Sequence, residues 1–529
     1  MPKGIMLIKD NIQLIIPMSG RGKRFTQAGY KTLKPLIEVD GFPMVQHVVN
    51  LFPGVTDISF ICDEAHLKQT NMLQILKSIA PNAKIFGISN NTKGPVSAVD
   101  SIKDHIDENK EVIVSYCDYG TEWDFDKFLE VTRNGNFDGA IPCYTGFHPH
   151  MLGSDNYAFC REENKILLEI KEKEPFTNNR MNEYASNGTY YFKTGLILKK
   201  YFKELIDLDL NLKGEYYVSL AYNLLVRDNL KVNIFEIKKM LQWGTPYDLE
   251  IYKSWSSYFR NISKPQTSIY NDPETTLILP MAGKGSRFSE EGYSLPKPLL
   301  EVDSKPMIMQ AVDCLPQSQS NVFICLSEHI KNFDLEKKLK NKYLNCKVLS
   351  IDETTEGQAC TCELAIKNLN LDLEKPILIS ACDNGVYYDQ QKYLKLLEDK
   401  NNDIIVWSFR NNQTSKVHPN MYSWLDVDDN DNLKYVSCKK FIYDDPLKTH
   451  AIIGTIFFRK AKYFIDGLQK NYEENIRTNN EFYVDDVLNQ NIKMGLNIKV
   501  FEVQNYICWG TPDDYKTYNY WKDFFNKNK

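Results

Sequence analysis

An internal repeat determines the organisation of this 529-residue chain. Residues 14–25 read LIIPMSGRGKRF and residues 277–288 read LILPMAGKGSRF, an offset of 263. The offset reaches only 266 where WGTP, at 243–246, occurs again at 509–512. A repeat that persists over a whole unit indicates duplication of a complete domain. We therefore expect one domain over residues 11–262, a linker over 263–274 and a second domain over 275–529.

Short apolar runs alternate with amphipathic stretches in each copy. The runs are LIIPM, ISFIC and VIVSYC in the first copy and LILPM, VFICL and PILIS in the second. Such runs separated by helical patterns are typical of βαβ units, in which helices cover both faces of the sheet. The sequence predicts an α/β fold of two tandem Rossmann-like domains, each a mostly parallel mixed sheet flanked by helices. Ligands of such sheets bind at the carboxyl ends of the strands.

Charge and composition exclude several classes of protein. The formal net charge of -5 lacks the basic excess that nucleic-acid binding needs, so no nucleic-acid partner is expected. No run approaches 18 apolar residues, and the apolar stretch at the start is too short for a signal peptide. We expect no membrane insertion and a cytoplasmic location. The 12 cysteines form no C-x-x-C pair, which favours reduced thiols over a zinc site.

A glycine-rich turn follows the first apolar run of each copy. Its glycines can let backbone N–H groups cradle a phosphate, and each loop carries an arginine and, ten residues later, a Lys-Pro. Phe25 and Phe288 occupy the position of the third glycine of a dinucleotide-binding fingerprint, and a Walker loop would need G-K-[ST]. A dehydrogenase is therefore excluded. The loop residues are Ser19, Gly20, Gly22, Arg24 and Lys34 in the first copy and Ala282, Gly283, Gly285, Arg287 and Lys297 in the second.

These motifs resemble those of one enzyme family. The segment PMAGKGSRF, followed by GYSLPKPLLEVDSKPMI, resembles the sugar-phosphate nucleotidyltransferases, particularly bacterial capsule and cell-surface members that include cytidylyltransferases. The likeness spans essentially each whole half, so two nucleotidyltransferase domains are implied. By this resemblance the loop holds the triphosphate. Arg24 and Arg287 would contact the departing pyrophosphate, and Lys34 and Lys297 the α-phosphate.

Asp118 and Asp383 each follow a buried apolar run. A carboxylate there is costly unless it is solvated, paired or bound to a metal, and Mg2+ prefers oxygen ligands. The resemblance assigns both to Mg2+, with a helix-capping role as the alternative. The family's second metal aspartate usually precedes the Gly-Thr-Pro, where this chain has Gln242-Trp243 and Cys508-Trp509. The second ligand stays open, with three low-ranked substitutes: Glu215, Glu481 and Asp485.

Two further segments resemble substrate-binding loops of the family. Residues 355–361, TEGQACT, resemble the loop that reads the nucleobase, which assigns Glu356, Gly357 and Gln358 to nucleotide binding. The first copy has TKGPVS at 92–97, so the two copies need not share a substrate. The segment KEKEPF at 171–176 resembles the acceptor loop and suggests Lys173, and Lys439 is its counterpart. A solvated charged face is the alternative for both lysines.

Histidines recur near the expected acceptor side. They are His148, His150 and His418, each next to a proline. We favour a structural turn over a catalytic base, because a phosphate monoester is already an anion and its attack needs no base.

The expected reaction transfers a nucleoside monophosphate from a nucleoside triphosphate to a phosphorylated small molecule, releasing pyrophosphate. A sugar 1-phosphate is the leading acceptor, with a phosphoamino alcohol as an alternative, and the nucleobase stays open. Three other hypotheses are a degenerate regulatory half, a glycosyltransferase of related fold and a non-enzymatic nucleotide-binding protein. A homo-oligomer is left open.

Overall fold

The structure of the chain is a computed structural model that describes residues 9–89, 93–263 and 270–527, without the side chains of 273 and 319. It divides into two compact units, of which one ends at Lys253 and the next begins at Ser254. This break falls inside a helix, Pro246–Ile262. Half of the predicted linker, residues 264–269, lies outside the described residues, and its last four residues begin a strand, Asn271–Pro280.

The first unit alternates strands and helices in the predicted manner. Its strands are β1 Ile12–Met18, β2 Glu38–Val39, β3 Phe42–Pro43, β4 Asp57–Asp63, β5 Lys84–Ile88, β6 Glu111–Ser115, β7 Tyr119–Glu122, β8 Gly139–Tyr144, β9 Ala158–Glu163, β10 Ile166–Glu172, β11 Tyr184–Ser186, β12 Thr189–Phe192, β13 Val232–Glu236 and β14 Lys239–Gln242. Its helices are α1 Lys23–Gln27, α2 Met44–Asn50, α3 Glu64–Gln69, α4 Met72–Ile79, α5 Pro95–Asp100, α6 Phe125–Asn134, α7 Gly195–Asp207 and α8 Val218–Arg227, and α9 Pro246–Ile262 begins in this unit and ends in the second.

The main sheet of this unit is mixed, with a parallel part, β6-β1-β4-β5, at one end. Its described strands run in the order β11-β9-β10-β13-β8-β12-β6-β1-β4-β5. β1 pairs in parallel with both β4 and β6, and β4 pairs in parallel with β5. β12 is antiparallel to its neighbours β6 and β8. The carboxyl ends of β1 and β6 therefore meet at one edge, where the glycine loop and Asp118 follow.

The second unit repeats this order of elements. Its strands are β15 Asn271–Pro280, β16 Glu301–Val302, β17 Lys305–Pro306, β18 Gln317–Leu326, β19 Cys346–Ile351, β20 Ile377–Ile379, β21 Asn384–Tyr387, β22 Ile404–Phe409, β23 Trp424–Val427, β24 Leu433–Ser437, β25 His450–Phe458, β26 Ile498–Glu502 and β27 Asn505–Cys508. Its helices are α10 Ser286–Glu290, α11 Met307–Asp313, α12 Ser327–Phe333, α13 Leu335–Lys342, α14 Gln358–Asn368, α15 Gln390–Glu398, α16 Gln413–Val417, α17 Ala461–Glu473, α18 Val484–Lys493 and α19 Pro512–Lys527.

The strand pairing of the second unit matches that of the first. β15 lies between the parallel strands β18 and β20, as β1 lies between β4 and β6. The register is also the same, since Leu14 pairs with Ile58 and its repeat Leu277 pairs with Asn321. β21 pairs with β27 as β7 pairs with β14. The two tandem α/β domains predicted from the repeat are thus confirmed.

Both faces of each sheet are buried. Successive residues of the central strands contribute alternately to two apolar clusters: Leu14 and Ile15 in the first unit, Leu277 and Ile278 in the second. Side chains of a strand point to opposite faces, so an uninterrupted apolar run is what a doubly covered strand requires. This explains why the runs LIIPM and LILPM lack the alternation of a half-exposed strand.

Replacing Ile278 by alanine should lower the free energy of unfolding of the second unit by about 2–5 kcal/mol, because the side chain is fully buried and would leave a cavity. Urea unfolding followed by tryptophan fluorescence measures the loss. Leu344→Ala is the control, since Leu344 is 91% exposed and its truncation should change the stability by less than about 0.5 kcal/mol. Equal effects of the two variants would contradict the assigned burial.

Candidate active site

The glycine loop that follows the first strand of each unit packs against a lysine. Gly22 and Gly285 have φ of 59° and 64°, in the left-handed region that favours glycine. A Cβ at Gly22 would lie 3.2 Å from Cβ of Lys34, and one at Gly285 would lie 3.4 Å from Cβ of Lys297. The close approach brings each lysine under the loop.

The preceding glycine of each loop, Gly20 or Gly283, has no neighbouring atoms on its Cβ side. No atom lies within 4 Å of a Cβ built on Gly20 or on Gly283. Packing therefore does not demand glycine at these two positions. An open glycine backbone lets a phosphate approach its N–H groups closely, which is the role predicted for the loop. Ser19 and Ala282, immediately before these glycines, are buried at the ends of the central strands.

Each lysine forms an ion pair with the aspartate that follows the neighbouring strand. Nζ of Lys34 donates to Oδ2 of Asp118, and Nζ of Lys297 donates to Oδ2 of Asp383. Burial opposes the charge of Lys34, but the Asp118 carboxylate outweighs it and raises the pKa of the lysine. Burial also opposes the charge of Lys297, and the Asp383 carboxylate again outweighs it and raises the pKa of this lysine. Each ammonium group thus stays charged at a site that is about one-fifth exposed.

The repeated Trp-Gly segment shapes the surroundings of both aspartates. The backbone N–H of Trp243 donates to the carbonyl of Asp118 over 3.2 Å, and that of Trp509 to the carbonyl of Asp383 over 2.9 Å. A Cβ at the following glycine would lie 3.0 Å from Oδ2 of Asp118 in the first unit and 3.1 Å from Oδ2 of Asp383 in the second. No role was predicted for Gly244 and Gly510. Their recurrence in both copies was the available signal.

Gln242 and Cys508 occupy the position where the family usually has its second metal aspartate. Each lies close to the glycine of the Trp-Gly segment, Gly244 or Gly510. Oε1 of Gln242 would lie 3.1 Å from a Cβ at Gly244, and Sγ of Cys508 would lie 3.2 Å from one at Gly510. The first unit therefore offers a carboxylate and an amide oxygen, whereas the second offers a carboxylate and a sulfur atom. Among the described residues no group of three or more histidine, cysteine, aspartate or glutamate side chains could hold a metal.

These donor sets fit a metal that is bound jointly by protein and substrate. Mg2+ commonly takes one or two carboxylates, keeps several waters and completes its shell with substrate phosphates. One oriented aspartate per unit meets that need, and the oxygen of Gln242 is a compatible neighbour. Sulfur is a poor ligand for Mg2+, so Cys508 adds nothing to such a site. The three substitute ligands do not change this: Asp485 is buried beside Cys438, Glu215 accepts a hydrogen bond from the hydroxyl of Tyr217, and Glu481 is exposed.

The two arginines are exposed in the first turn after each loop. In the first unit Arg24 lies within electrostatic reach of Lys34, Lys173 and Tyr217, although the pKa of Lys34 and that of Tyr217 are raised on balance by stronger neighbouring effects. The structure therefore brings the predicted triphosphate and acceptor residues together in that unit. Arg287 lies at the matching place in α10, and it forms no ion pair within residues 270–527.

The two acceptor lysines differ in their contacts. Both have positive φ, 59° for Lys173 and 51° for Lys439. Nζ of Lys173 donates to the hydroxyl of Tyr217 over 2.5 Å, and burial lowers the pKa of this lysine. Nζ of Lys439 instead donates to the carbonyl of Met421 over 2.8 Å and lies 5.5 Å from the ring centre of Tyr483. Tyr217 and Tyr483 were not predicted, although both belong to the repeated Glu-x-Tyr-Val.

A buried acid accompanies each acceptor lysine, but from different elements. In the first unit Glu172, at the end of β10, accepts a hydrogen bond of 2.7 Å from Ser219 in α8. The second unit has Cys438 in place of Glu172 and Asp485 in place of Ser219. The Asp485 carboxylate, in α18, acts electrostatically on Cys438. The glutamate missing from the second copy is thus matched by an acid on the facing helix.

The loop predicted to read the nucleobase is fixed to the acceptor side. Gly357 has φ of 143°, and a Cβ there would lie 2.5 Å from both N and O of Phe482. Glu356 forms an ion pair with Arg477, and Gln358 begins α14. In the first unit Gly94 approaches the backbone of Tyr216 in the same way. Thr92 lies outside the described residues.

The histidines of the first unit lie in a tight turn. His148 precedes a 3-10 helix, Pro149–Leu152, and Nε2 of His150 lies 2.9 Å from the hydroxyl of Tyr144. Burial lowers the pKa of His148 to about 4 and that of His150 well below its usual range. Both rings are neutral near pH 7. His418 begins the corresponding turn in the second unit, before Pro419–Met421.

Comparison with curated proteins finds partial likeness. The bifunctional protein GlmU of Staphylococcus epidermidis is 24% identical over 227 residues, which are 42% of this chain and 47% of GlmU. The chain thus spans about half the length of the curated relatives that it matches. None of its described helices is long and apolar enough to cross a membrane.

Solved structures resemble about half of the chain. A nucleoside-diphosphate-sugar pyrophosphorylase from Vibrio cholerae is 19% identical, with a TM-score of 0.37, and covers 46% of this chain and 98% of its own. The inositol-1-phosphate CTP transferase of T. maritima is 17% identical, with a TM-score of 0.37, and covers 48% and 97%.

The family comparison is more extensive. The sequence profile of the nucleotidyl transferase family matches residues 14–216 and 276–433, together more than half of the chain. Both matches begin at the central strand and include the glycine loop, the lysine and the aspartate of each unit. The family predicted from the motifs is thereby confirmed, and with it the class of transferase enzymes. The chain belongs to the nucleotidyl transferase family.

Proposed function

We propose that the chain transfers a nucleoside monophosphate from a nucleoside triphosphate to the phosphate of a small molecule. An oxygen of the acceptor phosphate attacks the α-phosphorus, a new P–O bond forms, and the bond to the departing pyrophosphate breaks. The observation that carries the proposal is the lysine–aspartate pair beneath an open glycine loop in both units. Such transfer is catalysed mainly by positioning and charge neutralisation.

Each predicted residue has a defined part in this reaction. The loop N–H groups at Gly20 and Gly283 would hold the triphosphate, and Arg24 and Arg287 would contact the departing pyrophosphate. Lys34 and Lys297 would neutralise the α-phosphate.

The carboxylates of Asp118 and Asp383 would hold Mg2+, which supplies further neutralisation of the phosphate oxygens. The acceptor phosphate is already anionic, and the neutral buried His148 and His150 are consistent with a reaction that needs no base.

The acceptor is a sugar 1-phosphate in the simplest form of the proposal. Lys173, half-buried and within the electrostatic reach of Arg24, would meet its phosphate in the first unit. The resemblance to capsule and cell-surface enzymes suggests that the product is an activated precursor of a surface polysaccharide. Its synthesis would take place in the cytoplasm.

A second candidate is that one half catalyses and the other regulates or supports it. The asymmetry between the acceptor lysines favours it, because Lys439 bonds a backbone carbonyl whereas Lys173 bonds a hydroxyl. Differences between the loops also favour it. The first copy has Pro95 where the second has Gln358, and the second copy has Cys508 beside its aspartate.

Alanine at Lys297 or Asp383 should lower the turnover of the second site by about 10²-fold or more, because an oriented charge at the transferred phosphate is lost. Lys34→Ala and Asp118→Ala test the first site in the same way. Pyrophosphate release, measured with four triphosphates against a panel of sugar phosphates, is the assay. Where the two variants of one half abolish formation of a product, that half of the chain makes the product.

The control for this series is Lys331→Ala, which removes an exposed lysine of α12 and should leave turnover unchanged. Thermal unfolding of every variant distinguishes lost chemistry from lost folding. Near-normal turnover of all four site variants would exclude the proposed roles.

Gly510→Ala should impair the second site although it adds only a methyl group, because Cβ would press on Oδ2 of Asp383 from 3.1 Å. We expect a fall in turnover of roughly tenfold or more, by analogy with a misplaced catalytic group. Gly283→Ala is the matched control for packing, since its Cβ would meet no atom within 4 Å. It should leave the unfolding temperature unchanged. Unaltered turnover of Gly510→Ala would show that the carboxylate position is unimportant.

A further inference from the structure

The second unit contains a large polar cavity away from the candidate active site. Its volume is about 920 Å³, which is within the usual range for small-molecule sites. Among the described residues that line it are Tyr343, Tyr388, Gln310 and Asn321, but neither Lys297 nor Asp383. It is therefore a separate space with its own chemistry.

Two polar atoms in the cavity wall lack hydrogen-bond partners. Oδ1 of Asn321 and the hydroxyl oxygen of Tyr388 are both buried and unpaired in the described structure. The side chain of Asn321 lies in a residue that is only 6% exposed. A buried polar atom without a partner is costly, and such atoms are uncommon in native proteins. Both residues line the cavity, so a ligand hydroxyl that reaches these two atoms from the cavity would satisfy them.

Asn321 and Tyr388 differ from the residues at the matching positions of the first unit. Ile58 takes the place of Asn321 in the first unit, as the strand registers show. Trp123 takes the place of Tyr388, since each is the first residue after the matching strand, β7 or β21. Ile58 is buried and apolar, and Nε1 of Trp123 donates to the carbonyl of Leu51 over 3.2 Å. The unpaired polar atoms are thus a feature of the second unit that the shared fold does not require.

The charges in the cavity wall are already neutralised. Asp313 pairs with Lys305 over 2.7 Å and with Lys342 over 3.6 Å. Asp389 caps α15 by accepting the N–H groups of Gln391 and Lys392. Asp303 pairs with Lys522 over 3.3 Å. Both lysines of the wall are engaged, and the wall has three aspartates against these two lysines, so it offers no cationic group for a phosphate.

The uncharged groups of the wall indicate the ligand. They are chiefly amides and phenols, among them Gln310, Asn321, Gln504, Tyr343 and Tyr388. Amides and hydroxyls both donate and accept, which suits a ligand that carries several hydroxyl groups. Tyrosine rings add apolar contact area beside them. The geometry points to a second, non-catalytic site of this chain that binds a neutral saccharide.

Titration of the full-length protein, without nucleotide, with methyl α-glucopyranoside, methyl N-acetyl-β-glucosaminide and sucrose tests the site. Isothermal calorimetry and saturation-transfer NMR report binding without any turnover. We expect one of these saccharides to bind, and inorganic phosphate and CMP not to compete. Competition by either anion, or the absence of binding by all three saccharides, would overturn the assignment.

Tyr388→Phe removes only the unpaired hydroxyl and keeps the ring contacts with Trp407 and Tyr393. It should weaken saccharide binding by about fivefold or more, the effect of one lost neutral hydrogen bond. Tyr443→Phe is the matched control, since the hydroxyl of Tyr443 is also buried and unpaired but lies outside the cavity wall. Equal affinity in the two variants would place the saccharide elsewhere.

Asn321→Leu gives a second and independent measurement. Because the amide oxygen has no partner, an apolar side chain of similar size should leave the unfolding temperature unchanged or raise it while saccharide binding falls. A lowered unfolding temperature would show that the amide is already satisfied within the fold and would count against the site.

Lys297→Ala separates this inference from the proposed transfer reaction. It should abolish turnover at the second site but retain saccharide binding. Binding lost in Lys297→Ala would assign the saccharide to the active site and overturn the separate cavity.

Discussion

The ion pair between a buried lysine and a strand-end aspartate is the interaction on which both candidate sites depend. Neither charge would be stable alone at the carboxyl edge of an apolar sheet, where desolvation penalises it. The pair is formed by chain segments about eighty residues apart, Lys34 with Asp118 and Lys297 with Asp383. The glycine loop above and the Trp-Gly segment beside it then have fixed positions, because each packs on one partner of the pair.

Much of this arrangement could be predicted from the sequence because the duplication acts as an internal comparison. Residues that recur at a nearly constant offset include the loop glycines, the lysine and the aspartate, and these are the ones the structure brings together. The apolar runs identified the central strands, since only a strand covered on both faces tolerates an unbroken run such as LIIPM. The parallel pairing of β1 with β4 and β6 agrees with the parallel sheet expected from the same pattern, although the pattern did not name the partners.

Contacts that depend on side-chain direction could not be predicted. Lys173 and Lys439 occupy equivalent positions, yet one bonds a tyrosine hydroxyl and the other a backbone carbonyl. The sequence also did not reveal that an acid on α18 takes the place of Glu172 in the second unit. Cys438 and Asp485 lie on different elements, and only the fold brings them together. Gly244 and Gly510 appeared only as parts of a repeated motif. Their proximity to a carboxylate depends on a two-stranded antiparallel sheet whose strands lie more than a hundred residues apart in the sequence.

The close contact at Gly357 has a consequence for how such an enzyme can diversify. Its loop is pressed on the backbone of Phe482, and the next residue, Tyr483, lies beside the acceptor lysine. Any insertion or side chain that displaces one of these two loops must therefore displace the other. Under the roles proposed for these two loops, preferences for base and for acceptor would be mechanically linked in the second unit, and new substrate combinations would be expected to arise as matched pairs rather than one substrate at a time.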